Sequence, residues 1–251
     1  MRKEYLKLNY YDKYIDNCLF LPEKRGVYPI IVHLNGMPGF SPSEQEKRLA
    51  TTVTQNDYAL FTFDYPGVRK STGIFSYYDA HAIVDKILTL LVEHEEINPS
   101  RIALLGESFG GAIAICYTAR DKRIKALGVR SPVYDTQYVV SLASFDTLAK
   151  IWMRNNQMNF PDKDLRQLFK IQSQQFNPAS LIKQVKVPIC IIAGGNDEIL
   201  EKEGFKQLNE KVPHDLPSEF YLLHDADHNF TKEEHFNEFK DKVISFFRKY
   251  L

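Results

Sequence analysis

The stretch Ile102-Ala103-Leu104-Leu105-Gly106-Glu107-Ser108-Phe109-Gly110-Gly111, continued by Ala112-Ile113-Ala114-Ile115-Cys116-Tyr117, reads in three parts. An apolar run of buried-strand type comes first. Two glycines then bracket a serine, and a helix-compatible run follows. Strand, G-x-S-x-G, helix is the context that a nucleophile elbow requires. The serine of such an elbow sits on a turn so sharp that its backbone is strained. Glycines at 106 and 110 leave out the side chains that would meet the neighbouring strand and helix. The new helix then points its free N–H groups and the positive end of its dipole at the place where an oxyanion would form. A glycine-rich βα turn with an incidental serine has the same local pattern, so the rest of the chain has to decide.

A length of 251 residues fits one large domain with a sizeable core. Lys+Arg and Asp+Glu both number 32, so the formal net charge is zero and no basic surface for nucleic acid or acidic membrane is indicated. No apolar run reaches the length of a membrane span, and Met1 to Tyr11 lacks the apolar region of a signal peptide. Cys18, Cys116 and Cys190 are odd in number and scattered. No metal-ligand spacing occurs, so the expectation is a cytoplasmic enzyme without metal or cofactor.

Strand-length apolar runs alternate with helical patterns. Tyr14–Leu21, Tyr28–Leu34, Tyr58–Phe63, Ile102–Leu105, Ala126–Val129, Val187–Ala193 and Glu219–Leu223 read as strands. Ser43–Gln55, Tyr78–Glu95, Ser108–Thr118, Glu203–Val212 and Thr231–Leu251 read as helices. The alternation implies an α/β fold with a mostly parallel sheet flanked by helices. Residues 135–180 break the rhythm: they hold no clear strand but many aromatic and methionine side chains. They are expected to form an inserted helical cap on a core of residues 1–134 and 181–251, with ordinary covering helices as the alternative. Phe145 and Trp152 are the first choices for lining an acyl pocket under that cap.

A serine hydroxyl needs a base, and the base needs an orienting acid. In a parallel sheet these collect at the carboxyl ends of strands. Val187–Ala193 runs into Gly194-Gly195-Asn196-Asp197, and Glu219–Leu223 runs into His224-Asp225-Ala226-Asp227-His228. The order Ser108, Asp197, His228 is serine, acid, histidine, the order expected on this scaffold. Asp225 and Asp227 flank His228 too closely to face it. Arg130, just past a strand, can be read as binding a substrate carboxylate or as a salt bridge to a covering helix. Glu107 reads as a contact to its surroundings with no catalytic role.

From about Tyr28 onward the chain resembles the α/β-hydrolase superfamily. The resemblance rests on the elbow, on Gly194-Gly195-Asn196-Asp197, on Ala226-Asp227-His228, and on Asp64-Tyr65-Pro66-Gly67. Asn35-Gly36-Met37-Pro38-Gly39 matches the superfamily's oxyanion loop, with Asn35 in place of the usual histidine. Small bacterial cinnamoyl or feruloyl esterases and acylaminoacyl-peptidase-like hydrolases are the nearest in pattern. The resemblance implies an α/β-hydrolase fold with a helical cap insertion. It makes Ser108 the nucleophile, and the backbone N–H groups of Met37 and Phe109 the oxyanion hole, since Pro38 has no N–H. The cations in Val68-Arg69-Lys70-Ser71 depart from the usual small residues and are read as a solvated turn.

The implied activity is hydrolysis of a carboxylic ester of a small-molecule acyl substrate, with a thioester or small amide as variants. A slow ligand-binding protein on the same fold and an acyltransferase or cyclase are the other classes that fit. The oligomeric state stays open, a homodimer included.

Overall fold

Strand after strand in this chain alternates strictly between two covered faces, and that alternation builds the sheet. In Tyr28–Leu34, Ile30, Val32 and Leu34 join one core cluster while Ile31 joins the other. In Ile97–Glu107, Ile102 and Leu104 face the first cluster and Ala103 and Leu105 the second. A parallel strand buried on both faces needs apolar residues at every position, which is what these runs supply.

The computed structural model describes residues 1–37, 44–155, 157–161 and 165–251, without the side chains of Glu44, Leu148, Trp152 and Leu165. In chain order the elements begin with β1 (Arg2–Glu4), β2 (Asn9–Tyr10), β3 (Lys13–Tyr14), β4 (Asn17–Leu21), β5 (Tyr28–Leu34) and α1 (Glu44–Gln55). Next come β6 (Ala59–Phe63), α2 (Tyr77–Val92), β7 (Ile97–Glu107), α3 (Phe109–Thr118) and β8 (Ile124–Arg130). Four helices follow in the segment before the next strand: α4 (Thr136–Ser141), α5 (Ser144–Arg154), α6 (Leu165–Gln172) and α7 (Pro178–Leu181). The chain closes with β9 (Ile189–Gly194), α8 (Lys202–Glu210), β10 (Ser218–Leu223) and α9 (Glu233–Tyr250).

Among the described residues the main sheet runs β1-β4-β6-β5-β7-β8-β9-β10. β1 and β4 pair antiparallel, and every pair from β6 to β10 is parallel. This is the α/β-hydrolase fold expected from the sequence. Phe236, Phe239, Val243, Phe246 and Phe247 of α9 pack with Leu49 and Val53 of α1 on one face. The buried sides of α2, α3 and α8 cover the other. The run Tyr14–Leu21, expected as one strand, is two: β3 and β4 are separated at Ile15 and Asp16. There the Ile15 amide turns aside to Leu8 O and the Asp16 carbonyl accepts from Asp64 N–H.

The loop after β6 also differs from expectation. It is a turn with Lys70 exposed, but it is tied down on one side: Val68 is fully buried and forms an antiparallel bridge with Met158. Arg69 N–H donates to Gln157 O, and Asn159 N–H to Gly67 O, at 2.8 and 2.7 Å.

The central crossing leaves no room for side chains. A Cβ added to Gly110 would stand 2.0 Å from Leu34 O at the end of β5, and one added to Gly106 would stand 2.5 Å from Gly110 O. Gly110→Ala is therefore expected to destabilise the fold by about 3 kcal/mol, the upper part of the overpacking range. Urea unfolding of the variant measures this. A midpoint equal to wild type would mean that β5 can withdraw from α3.

Candidate active site

Ser108 joins β7 to α3 with φ +51° and ψ −117°, a conformation that L-residues rarely adopt. Its N–H donates to Arg130 O at 2.9 Å, and its carbonyl accepts from Val133 N–H at 2.9 Å. Both neighbours belong to β8 and the turn after it, so the strained residue is held from the next strand. The turn puts Ser108 Oγ 2.9 Å from His228 Nε2.

His228 follows β10 and is buried to 4 % exposure. Its Nδ1 lies 2.7 Å from Asp197 Oδ2. The other oxygen of Asp197 accepts backbone N–H bonds from Ile199 and Leu200 at 2.9 and 2.8 Å, which fixes the carboxylate after β9. The three residues named from sequence thus form one continuous chain of hydrogen-bond distances. The alternative acids are engaged elsewhere. Asp225 meets the exposed His224, and Asp227 accepts from Thr231 N–H. Sequence reading missed Glu198, whose carboxylate accepts the His228 backbone N–H at 3.1 Å. Its position next to the acid in Asp197-Glu198 was the available signal.

The loop after β5 closes the other side. A Cβ at Gly36 would come 3.1 Å from Ser108 Cβ, tighter than most real Cβ contacts, so glycine eases the close approach of this backbone to Ser108. Asn35 anchors the loop by donating from Nδ2 to Phe63 O and Thr62 Oγ1. Met37 lies on the cavity wall beside Phe109, the first residue of α3. Pro38 and Gly39 of this motif lie outside the described residues.

A cavity of about 440 Å³ opens from Ser108 and His228. Val139, Val140 and Leu142 line it from α4 and its end, Phe145 from α5, and Phe169 from α6. Phe145 stacks edge-on against Phe169, whose ring continues to Phe75 and Tyr77 of the core. The side chain of Trp152 lies outside the described residues. The segment is fastened at its ends: Asn177 Nδ2 donates to Asp135 Oδ1, and Gln172 Oε1 accepts from Tyr77 N–H.

Beneath the site the last residues on the α1/α9 face of four adjacent strands are polar: His33, Thr62, Glu107 and Arg130. Glu107 Oε2 accepts from Arg130 Nη2 at 2.6 Å, and Oε1 lies 3.0 Å from His33 Nε2. Burial alone would raise the Glu107 carboxyl, but Arg130, His33 and His228 hold it down at about 2. Glu46 of α1 goes the other way: burial, with Glu107 and Asp64 nearby, pushes it up to about 8 against a bond to Thr62. No metal-binding group of His, Cys, Asp and Glu occurs among the described residues, and no described helix is long and apolar enough to cross a membrane.

A model of the prolyl oligopeptidase family matches residues 68–251. YfhR, an uncharacterised protein of Escherichia coli K12, is 22% identical over 233 residues, which cover 90% of this chain and 74% of that protein. An uncharacterised 31.7 kDa Escherichia coli protein of the traX-finO intergenic region is 24% identical over 271 residues, covering 92% and 94%. Among solved structures, DcsB in complex with its substrate analogue superposes with a TM-score of 0.80 at 18% identity, covering 99% of both chains. A Pyrococcus furiosus esterase gives 0.78 at 18% identity, covering 99% of this chain and 91% of its own. At these identities the structural likeness speaks for the fold.

Glu46 yields a pH prediction. Its folded value of about 8 stands above the ordinary glutamate value, so the folded state holds the proton more tightly. The stability tied to that proton is present in full below the unfolded value and is lost as pH rises toward 8. Relative to wild type, Glu46→Gln should gain roughly 10 °C in Tm between pH 5 and pH 9, from a linkage of about 4 kcal/mol over that range. Calorimetry across that range checks it; a constant difference would mean that Glu46 is ionised throughout.

Proposed function

The chain belongs to the prolyl oligopeptidase family, hydrolases on the α/β-hydrolase fold, and from that premise we propose that it is a serine hydrolase cleaving carboxylic esters of small-molecule acyl substrates. Thioesters and small amides are the variants of the same chemistry. The observation that carries the reading is the unbroken chain Ser108 Oγ, His228, Asp197 at 2.9 and 2.7 Å, opening on an apolar cavity.

The mechanism follows from the geometry. His228 Nε2 takes the Ser108 proton as Oγ attacks the acyl carbonyl. Asp197 holds Nδ1–H and stabilises the imidazolium that forms. The N–H groups of Met37 and Phe109 receive the oxyanion, and the N-terminal end of α3 adds its dipole. The imidazolium then protonates the departing alkoxide. Water, activated by the same histidine, cleaves the acyl-enzyme and restores Ser108. The family's name points to peptide bonds. A cavity of about 440 Å³ walled by Val140, Leu142, Phe145 and Phe169 instead suits one short acyl chain, within the usual size range of small-molecule pockets. Residues 135–180 act in this reading as a helical cap that shapes the pocket and keeps water from it.

Ser108→Ala is expected to abolish turnover of p-nitrophenyl esters with the thermal transition preserved. Asp197→Asn should lower kcat by about 10⁴-fold, as in chymotrypsin-type triads, while Asp225→Asn and Asp227→Asn stay near wild type. An active Ser108→Ala variant would remove the nucleophile from this account.

Phe145→Ala should change relative kcat/KM among acyl chain lengths more than it changes stability, with longer chains gaining from the enlarged pocket. A uniform loss across chain lengths would place Phe145 in the cap's packing rather than in the substrate's path.

A further inference from the structure

Arg130 is the last residue of β8 and stands in register with Glu107, the last residue of β7. It touches the two chain segments that carry Ser108 and His228. Its carbonyl accepts the Ser108 N–H at 2.9 Å, and its Nη2 donates to Glu107 Oε2 at 2.6 Å, one residue before Ser108. Its guanidinium carbon sits 5.5 Å from the Phe230 ring, two residues after His228, and 5.1 Å from Phe239 of α9. Phe230 is fully buried and has φ +52°, so the histidine loop passes over Arg130 through a constrained residue. Nη1 finds no hydrogen-bond partner among the described residues. The orientation of the guanidinium therefore rests on Glu107 and the rings. A flat, delocalised cation can bond in its plane and stack on its face at once, which an ammonium cannot.

A buried ion pair at this position is weak as a stabiliser, because apolar residues of similar volume commonly do as well. What the pair does hold is a relation between two loops. We infer that Arg130 is a positioning residue that clamps the serine elbow to the histidine loop and fixes the approach of His228 Nε2 to Ser108 Oγ. The inference rests on the serine-hydrolase reading for its kinetic consequence, but not for its geometric one.

Two measurements test it. The first is the downfield Nδ1–H proton resonance of His228, read by NMR in wild type, Arg130→Met and Arg130→Lys without any substrate. The clamp predicts that this signal broadens or moves in Arg130→Met and partly returns in Arg130→Lys, which keeps the charge opposite Glu107. The second is steady-state kinetics on an ester, scaled to the sites labelled by a fluorophosphonate. It predicts that kcat falls about 10- to 100-fold in Arg130→Met, the range for a reacting group displaced by about 1 Å, with KM changed much less. Arg130→Lys should recover part of that loss. A resonance unchanged in both variants overturns the inference whatever the kinetics show. A wild-type protein that turns over no ester and takes no label, yet shows the resonance change, keeps the clamp and removes the serine-hydrolase reading. If Arg130→Met does not fold, Arg130→Lys alone decides: a wild-type resonance and wild-type kcat together reject the clamp.

Discussion

The backbone of Ser108 is the constraint on which the site depends. Holding a non-glycine residue at φ +51° costs about 1–3 kcal/mol and persists only where the surroundings overdetermine it. Here they do so from three directions. β8 accepts the Ser108 N–H, the turn after β8 donates to its carbonyl, and the end of β5 presses against Gly110 so closely that no side chain fits. The same crowding brings Gly36 against Ser108 Cβ and thereby carries Met37 to the rim of the cavity. The Ser108 turn, the loop that carries Met37 and the N-terminus of α3 are consequences of one crossing rather than separate features.

The carboxyl ends of the strands carry a second constraint, electrostatic in kind. Apolar residues fill both faces of the strands until their last positions, where buried His33, Thr62 and Arg130 and the half-buried Glu107 form a polar layer against α1 and α9. Two carboxyl groups within this layer are driven apart. Glu107 has a cation within hydrogen-bond distance and is held ionised, at about 2. Glu46 is pushed up to about 8 by burial and by the charge of Glu107 itself. Ionising both would place like charges in one low-dielectric region, so the proton on Glu46 and the cation on Arg130 divide the cost between them.

How much of this was legible beforehand depended on the range of the interactions involved. The elbow was legible because its requirements are local: apolar residues before, glycines at fixed offsets, a helix former after. The acid and the histidine could be named because parallel strands deliver their following loops to one edge. The split of Tyr14–Leu21 was not legible, since Ile15 leaves the strand for a partner at Leu8 that local pattern does not reveal. Nor was the burial of the loop Gly67–Ser71, which comes from backbone pairing with residues about ninety positions away. Glu107 and Arg130 were individually noticed as charged residues at strand ends. Their pairing follows only from the register of β7 with β8, and one residue of slip would turn Arg130 to the opposite face.

The segment between β8 and β9 walls the cavity with residues of α4, α5 and α6, while Ser108, Asp197 and His228 lie on other parts of the chain. Ser108, Asp197 and His228 each stand in a loop or turn at a strand end, at 2.9 and 2.7 Å from one another along the chain of contacts, with Ser108 tied to β8 and the turn after it and Asp197 to Ile199 and Leu200. Residues 135–180 make ties of their own. Asn177 reaches Asp135, Gln172 reaches Tyr77, and the stretch Gln157–Asn159 pairs with the loop after β6. If Arg130 positions His228 as inferred above, Phe145 and Phe169 would be able to change size or shape without moving the serine–histidine distance, although Glu107 and Arg130 line the same cavity. In the serine-hydrolase reading proposed above, such a division would let one arrangement of Ser108, His228 and Asp197 serve differently shaped acyl chains, with the apolar segment selecting what reaches them.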